Sequence, residues 1–478
     1  MINPYALIYL VAHVIPAMIG FVALILYTHL LSAAEYGIYV IGASIAGIVS
    51  AVFFAWVRLS VARYQAKSPE LDLRLEAIVA YGGTVLVIAC LTPVVLFIIR
   101  PNIGYGIVAG SLLLSLSFTA FEISQEFRRA QLNSLRYMTI SVTRGILGLA
   151  FGYAAIEFGG GGLGLLVGIG ASFLVVNLLS FQGKATKPFQ SLSVSYLKRF
   201  VRYGFPFLLG AAAFALHGAI DRLSVAYLLG QSAAGSYGLA ADLTRQIATV
   251  LASSAASAVF PIAFRNLAQA GVSVTRARLA EGAELLLALI VPVSVWIAIS
   301  ADAVAGTLLG SEFQTSVAAL LPLLVLGRMC GAVNQYYLHV SFQLAEKPML
   351  QVVHDSLILV VNIALLFPLT FAFGLPGTAA AVLIAEAIGI LIGIGLSRRA
   401  FKLPFNAGGM ARVLASTLAV AVVTYAVKTV SAGHGFSALL SLGAAGFVAY
   451  AGAAMLFDVA GIRTMVASFL RLRRLAAG

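Results

Sequence analysis

The feature that most limits the fold of this chain is a series of apolar runs, each about as long as a bilayer is thick. A helix needs roughly 20 apolar residues to cross a hydrocarbon layer of roughly 30 Å. By that measure the sequence predicts fourteen spans, at residues 4–30, 37–60, 78–99, 106–127, 139–157, 162–181, 203–229, 236–264, 282–300, 316–343, 350–372, 376–396, 408–430 and 436–457. The gaps between them are too short for a globular domain, so we expect no separate soluble catalytic domain.

The composition agrees with a membrane protein. With 61% hydrophobic and 10% charged residues, a chain of 478 residues has too little polar surface for a soluble globule. We therefore expect an all-α polytopic membrane protein. The net charge of +13 does not indicate nucleic-acid binding, because the basic residues lie between apolar runs, as membrane anchors do. Cys90 and Cys330 have no His or Cys at metal-ligand spacing, so the sequence predicts neither a metal nor a cofactor.

The basic residues fall almost entirely in alternate loops. If the N-terminus is cytoplasmic, the inner loops and the C-terminal tail hold 24 of the 30 basic residues, and the outer loops hold only Arg100 and Lys428. Because short translocated loops are poor in Lys and Arg, both termini are predicted to be cytoplasmic. The first run has no Lys or Arg before it and is too long for a signal peptide core, so we expect a permanent span.

Two hairpin sequences indicate an internal repeat. "LLSAAEYGIY" (30–39) and "LLGQSAAGSY" (228–237) share two leucines, a glycine and a tyrosine at an offset of 198, and Pro93 and Pro292 keep nearly the same register. Chance matching is the alternative, but two matches in one register favour a repeat. The sequence thus predicts two parallel six-helix bundles related by a pseudo-two-fold axis along the membrane normal, with substrate sites between them. The predicted domains are residues 1–182, residues 183–402, and two additional helices with a basic cytoplasmic tail at residues 403–478.

Several segments resemble a known transporter family. The segments "LLSAAEYGIYVIGASIAGIVSAVFFAW", "GFPFLLGAAAFALHGAIDRLSVAYLLGQSAAGSYGLAADL" and "ASAVFPIAFRNLA" are similar to Wzx-type oligosaccharide flippases, the polysaccharide transporters of the multidrug/oligosaccharidyl-lipid/polysaccharide exporter superfamily. The resemblance covers most of the chain. It implies two six-helix bundles around a central cavity, often with two extra C-terminal helices.

The function that this resemblance implies is lipid flipping in the bacterial inner membrane. An undecaprenyl-diphosphate-linked oligosaccharide repeat unit would move from the cytoplasmic to the periplasmic leaflet, for exopolysaccharide, capsule, O-antigen or holdfast synthesis. The expected partners are this substrate, membrane lipids, and polysaccharide polymerase and export machinery, with the transporter itself a monomer.

Charged residues inside predicted spans are the candidate functional residues, because a charge in a membrane normally faces a bundle interior or a water-filled cavity. Asp221 and Arg222, and Asp242 and Arg245, all lie about 9 to 14 Å below the predicted outer surface on neighbouring spans. Three roles remain open for them: a neutral salt-bridge cluster, cavity lining, or ion coupling.

A second set of charges lies deeper or nearer the cytoplasm. Arg328 and Glu386 have similar depths, and either they pair or Arg328 attracts an anionic headgroup. Arg58 and Arg144 either reach the interface or meet a lipid diphosphate. The predicted substrate-binding residues are Arg58, Arg144, Arg222, Arg245 and Arg328, and the predicted ion-coupling or gating residues are Asp221, Asp242 and Glu386. With Glu122 and Asp355 included, five acids balance these five arginines, so the sequence by itself indicates no cationic cavity.

Other functional classes have less support. The chain has no Walker motif and no Ser/His/Asp order in one aqueous loop, so we do not expect an enzyme. Transport would then depend on an ion or proton gradient or on removal of the product outside. The alternatives are a multidrug/cation antiporter of the same superfamily and, with less support, a membrane-embedded glycan polymerase or ligase, which needs a larger outer loop than this chain has.

Overall fold

A computed structural model describes residues 4–68, 71–99, 104–180, 192–205, 208–404, 406–430 and 435–463. All regular structure in these ranges is helical. The helices are α1 Pro4–Leu30, α2 Ala33–Val49, α3 Ala55–Lys67, α4 Arg74–Ile99, α5 Tyr105–Ala130, α6 Ser134–Ala155, α7 Gly161–Ser180, α8 Val194–Gly204, α9 Leu208–Leu229, α10 Gln231–Gln269, α11 Val272–Ile299, α12 Ala301–Leu308, α13 Ser311–Val333, α14 His339–Leu344, α15 Pro348–Phe373, α16 Leu375–Ser397, α17 Ala407–Val430 and α18 Phe436–Phe457. The predicted tail beyond residue 463 lies outside the described residues.

The helices match the predicted spans. Among the described residues, 12 helical stretches are long and apolar enough to cross a membrane. One of them, Ser134–Ser180, contains both α6 and α7, which turn back on each other around Gly159 and Gly161, both at positive φ. The 27-residue helix α1 contains a further apolar stretch, Val14–Leu30. The prediction of an all-α polytopic membrane protein is therefore confirmed.

Residue contacts divide the chain into two compact units, Met1–Gly238 and Leu239–Gly478. Helices α2, α5, α7 and α9 pack together in unit 1, and α11, α13, α15 and α16 pack together in unit 2. The predicted domain boundaries near residues 182 and 402 stay a prediction.

The two copies of the repeated hairpin touch each other in unit 1. A side chain at Gly37 would run into the carbonyl of Gln231, and one at Gly235 would run into the carbonyl of Ala33. The glycine that the two sequences share thus lets the start of α2 and the start of α10 approach at backbone distance. The shared residue has a packing reason in both copies.

Helix α8 was not predicted, because it is too short and too polar for a span. Its Phe200 is fully buried against α3, where the Ser60 hydroxyl donates to the Phe200 carbonyl at 3.0 Å and Tyr64 stacks on the Phe200 ring. Gly204 lies so close to Trp56 that any side chain there would clash. The helix has one apolar face, which α3 covers.

The last two helices pack on α11 in unit 2. The Trp296 indole N–H donates to the Leu442 carbonyl at 3.0 Å, and the Tyr450 hydroxyl donates to the Ala288 carbonyl at 2.6 Å. Each bond joins an α11 residue to α18, so the hydrogen-bonding groups of two large aromatic side chains are satisfied inside the bundle.

A buried carboxylate fastens α17 to α11. Glu284 accepts hydrogen bonds from Arg412 Nη2 at 2.8 and 2.9 Å, from Asn406 Nδ2 at 3.1 Å and from the Ala460 amide at 2.9 Å. Because all of these donors converge on one 5% exposed side chain, Glu284 is well compensated for its burial.

Candidate functional site

Arg58, at the predicted cytoplasmic side of unit 1, has an acidic partner. Its Nη1 lies 3.2 Å from Glu122 Oε2, and the two side chains are 42% and 30% exposed. This pairing does not follow from hydropathy, because the two residues are 64 positions apart on different helices. A partly exposed ion pair of this kind leaves Arg58 with little uncompensated charge.

Arg144 has a different environment. Its guanidinium lies over the Phe173 ring at 4.1 Å, and its Nε is buried without a hydrogen-bond partner among the described residues. The side chains of Tyr27, Tyr39 and Glu122 are near enough to interact with its charge. A buried guanidinium N–H with no acceptor is costly, and a bound anion would satisfy it.

The four charged residues predicted near the outer surface, Asp221, Arg222, Asp242 and Arg245, have different surroundings. Arg245 Nη2 lies 2.8 Å from Asp242 Oδ1, within a single turn of α10, and the Arg245 side chain is 59% exposed. Asp221 is buried and Arg222 is half-buried, and both take part in polar or electrostatic contacts. Asp221 on α9 belongs to unit 1, and Asp242 on α10 belongs to unit 2. The salt-bridge cluster predicted between these two helices therefore stays a prediction.

Glu386 and Arg328 lie on helices α16 and α13 of unit 2, where Glu386 is buried and Arg328 is half-buried. Asn334 Nδ2 donates to Glu386 Oε2 at 2.8 Å and to the Glu386 carbonyl at 3.0 Å, and a side chain at Gly331 would press on this carboxylate. Arg328 is one turn away from Gly331 on α13, and its Nε is buried without a hydrogen-bond partner among the described residues. Its Nε–H can therefore donate to an acceptor, and the predicted contact of Arg328 with an anionic headgroup stays a prediction.

A basic groove lies in unit 1 at the predicted cytoplasmic ends of α4 to α7. It was not predicted from the sequence. Its volume is about 230 Å³, and its lining residues include Arg74, Arg128 and Arg136 together with Tyr81 and Phe127. All three arginines line this groove, and Arg74 and Arg136 are each near enough to Arg128 for their charges to act on it.

Few acids balance this groove. Arg74 Nε lies 3.7 Å from Asp72 Oδ1, whereas Arg128 Nη1 donates to the neutral Gln125 at 3.0 Å. Arg74, Arg128 and Arg136 are among the 24 basic residues assigned to the inner side from the sequence, where no groove was predicted. The short connection between α5 and α6 was the available signal, because it must bring Arg128 and Arg136 to the same end of the bundle.

Comparisons with known proteins address the fold and the family. The model of the family described as "Polysaccharide biosynthesis protein" matches residues 5–267, which is more than half of the chain. No curated protein sequence matches the chain.

Solved structures with the same fold are membrane transporters. The lipid II flippase MurJ in an inward closed conformation aligns with a TM-score of 0.71 and 14% identity, over 95% of this chain and 98% of that chain. An inward-facing multidrug resistance transporter of the MATE family in the MOP superfamily aligns with a TM-score of 0.58 and 15% identity, over 81% and 97%. An outward-facing MATE transporter aligns with a TM-score of 0.54 and 16% identity, over 82% and 93%. At these identities the likeness establishes the fold alone.

Proposed function

Because this chain belongs to the polysaccharide biosynthesis protein family, we propose that it flips undecaprenyl-diphosphate-linked oligosaccharide repeat units from the cytoplasmic to the periplasmic leaflet of the bacterial inner membrane. The headgroup would enter between the two predicted bundles while the lipid tail stays in the bilayer. Rocking of the bundles would then expose it on the outside. Both termini are cytoplasmic in this proposal, and the oligosaccharide passes to polymerase and export machinery.

The observation that carries the proposal is the buried Nε–H group of Arg144. Its guanidinium lies over the Phe173 ring, and its buried Nε has no acceptor among the described residues. In unit 2, the Nε of Arg328 is likewise buried with no acceptor among the described residues. Diphosphate oxygens accept charge-assisted hydrogen bonds from guanidinium groups, so each of these arginines could donate its Nε–H to an anionic headgroup.

The basic groove supports a first contact with the same headgroup. A lipid phosphate in the cytoplasmic leaflet would lie at the level of Arg74, Arg128 and Arg136, and Tyr81 and Phe127 offer apolar surface for the beginning of its tail. We assign this groove to capture, before the headgroup reaches Arg144.

The energy source in this proposal is an ion or proton gradient, or consumption of the product outside. Glu386 is the strongest candidate carrier, because it is buried and its carboxylate accepts from the neutral Asn334. Asp221 and Asp242 are the further candidates. Neutralising such a carboxylate changes the charge of the bundle interior, which is how a proton would bias one conformation over another.

Deletion of the gene tests the proposed substrate class. We expect a surface polysaccharide to be lost and its lipid-linked repeat unit to accumulate on the cytoplasmic face, as measured by extraction and mass spectrometry of lipid-linked intermediates. Expression of the intact chain from a plasmid should restore the polymer. An unchanged set of polysaccharides with altered sensitivity to cationic drugs would contradict flipping and favour the antiporter alternative.

A further inference from the structure

Unit 2 contains a cluster of three side chains that the proposed transport mechanism does not use. His339 on α14 and His354 on α15 are buried, and Asp355 next to His354 is half-buried. The Nε2 atom of His339 lies 3.2 Å from His354 Nδ1 and 3.1 Å from Asp355 Oδ1, and the last two atoms are 3.7 Å apart. One atom of each side chain therefore faces the same small volume.

A hydrogen bond on the opposite side of the His354 ring determines which of its two nitrogens carries the proton. Its Nε2 lies 2.8 Å from the carbonyl oxygen of Gly389 on α16, and a carbonyl only accepts, so Nε2 carries the proton. In a neutral ring Nδ1 then holds a lone pair, which points at His339 and Asp355. A backbone carbonyl that orients the ring in this way is one of the common outer partners of a metal-binding histidine.

Helix packing makes this orientation rigid. Any side chain at Gly393, one turn from Gly389, would press on the His354 ring. Phe342 lies beside both imidazoles, with ring centroids 6.1 Å from His339 and 5.9 Å from His354. The cluster thus has an apolar wall on one side, and Asp355, with a side chain that is 25% exposed, on its more open side.

The spacing of the three atoms matches a transition-metal site. Ligand bonds of about 2.1 Å in a tetrahedron place neighbouring ligand atoms about 3.4 Å apart. The three separations in the cluster, 3.1, 3.2 and 3.7 Å, lie around this value. Two imidazole nitrogens and one carboxylate oxygen suit Zn²⁺ and neighbouring divalent ions of the first transition series.

We propose that His339 Nε2, His354 Nδ1 and Asp355 Oδ1 bind one divalent transition-metal ion, with water at the remaining positions. Each of these three atoms can offer an electron pair. A single proton on His339 Nε2 would be shared between the other two atoms, whereas a metal ion forms a bond to all three. The ion would fasten α14 to α15 across the short turn between them. This site is independent of the proposed substrate.

Metal binding to the purified protein tests the site directly. The protein carries no histidine tag, is treated with a chelator, and is then dialysed against Zn²⁺ or Co²⁺, with bound metal measured by elemental mass spectrometry. We expect one ion per chain. We also expect a visible Co²⁺ spectrum of a nitrogen- and oxygen-ligated ion without a thiolate band, which separates this site from binding at Cys330.

Conservative variants identify the ligands. His354→Gln keeps a donor that reaches the Gly389 carbonyl but removes the imidazole, and Asp355→Asn keeps the shape of the carboxylate, so we expect at least tenfold weaker Zn²⁺ binding in each. The matched controls are His29→Gln and Glu346→Gln, which alter exposed residues and should bind Zn²⁺ as the parent protein does. Binding of less than half an ion by the parent protein would overturn the proposal, as would equal affinities in all variants.

Discussion

At the scale of single residues, the predicted arginines differ in what surrounds them. Arg58 and Arg245 each face a carboxylate within 3.2 Å, whereas Arg144 and Arg328 each bury an Nε without an acceptor among the described residues. The charge of an arginine is readable from the sequence, but its availability to a ligand is not. If the proposed function is correct, Arg144 and Arg328 are therefore the arginines whose replacement should affect transport most.

Arg144→Ala should reduce polysaccharide export at least tenfold. The reason is that one charge-assisted hydrogen bond to a phosphate contributes about 1.5–3 kcal/mol. Arg144→Lys should retain part of the activity, because a lysine keeps the charge but not the planar donor pair. Arg328→Ala should have the same effect as Arg144→Ala. The measurement is complementation of a deletion strain, with polymer quantified against the amount of folded protein.

Arg278→Ala is the matched control for these variants. Arg278 is exposed and pairs with Glu281 on the surface of α11, so its loss should change export less than twofold. Full export by both Arg144→Ala and Arg328→Ala, at normal protein levels, would remove these arginines from the substrate path.

Among the helices, side-chain hydrogen bonds and ion pairs help to determine which neighbours pack together. Helix α8 is held to α3 through Phe200, and α17 is held to α11 through Glu284. Neither contact follows from hydropathy, since a hydropathy profile describes one helix at a time. Glycines such as Gly389 and Gly393 matter for the same reason, because they allow α16 to approach the side chains of its neighbours.

Glu284→Gln should lower the thermal stability of the purified protein. The substitution removes the negative charge that pairs with Arg412 and weakens the other hydrogen bonds to this side chain. We therefore expect the free energy of unfolding to fall by about 2 kcal/mol. Glu281→Gln, one turn away and exposed, should have no measurable effect. Thermal unfolding in detergent, followed by intrinsic fluorescence, measures both. Equal melting temperatures would show that the Glu284 contacts do not stabilise unit 2.

At the scale of the whole molecule, alternation of charge along the chain predicts the topology. The 24 basic residues assigned to the inner side, against two on the outer side, place the loop around Phe158 outside and the loop around Lys402 inside. Both residues are exposed in the structure, so a cysteine at either position is accessible to a labelling reagent.

Cysteine labelling tests this topology. In a background without Cys90 and Cys330, Phe158→Cys should react with a membrane-impermeant maleimide in intact spheroplasts, and Lys402→Cys should react only after permeabilisation. The protein without cysteines is the blank. The opposite pattern would place both termini outside and reverse the proposed direction of transport.

The sequence alone determined the number, order and approximate ends of the membrane spans, because an apolar run of bilayer length has few other stable states. It also indicated the family through the repeated hairpin and the segment around Asp221 and Arg222. Tertiary structure decided which charges are compensated and which side chains converge. Helical periodicity gives the face on which a residue lies, but the partner on the next helix depends on how the helices pack. The Arg58–Glu122 pair and the His339, His354 and Asp355 cluster therefore became visible only in three dimensions.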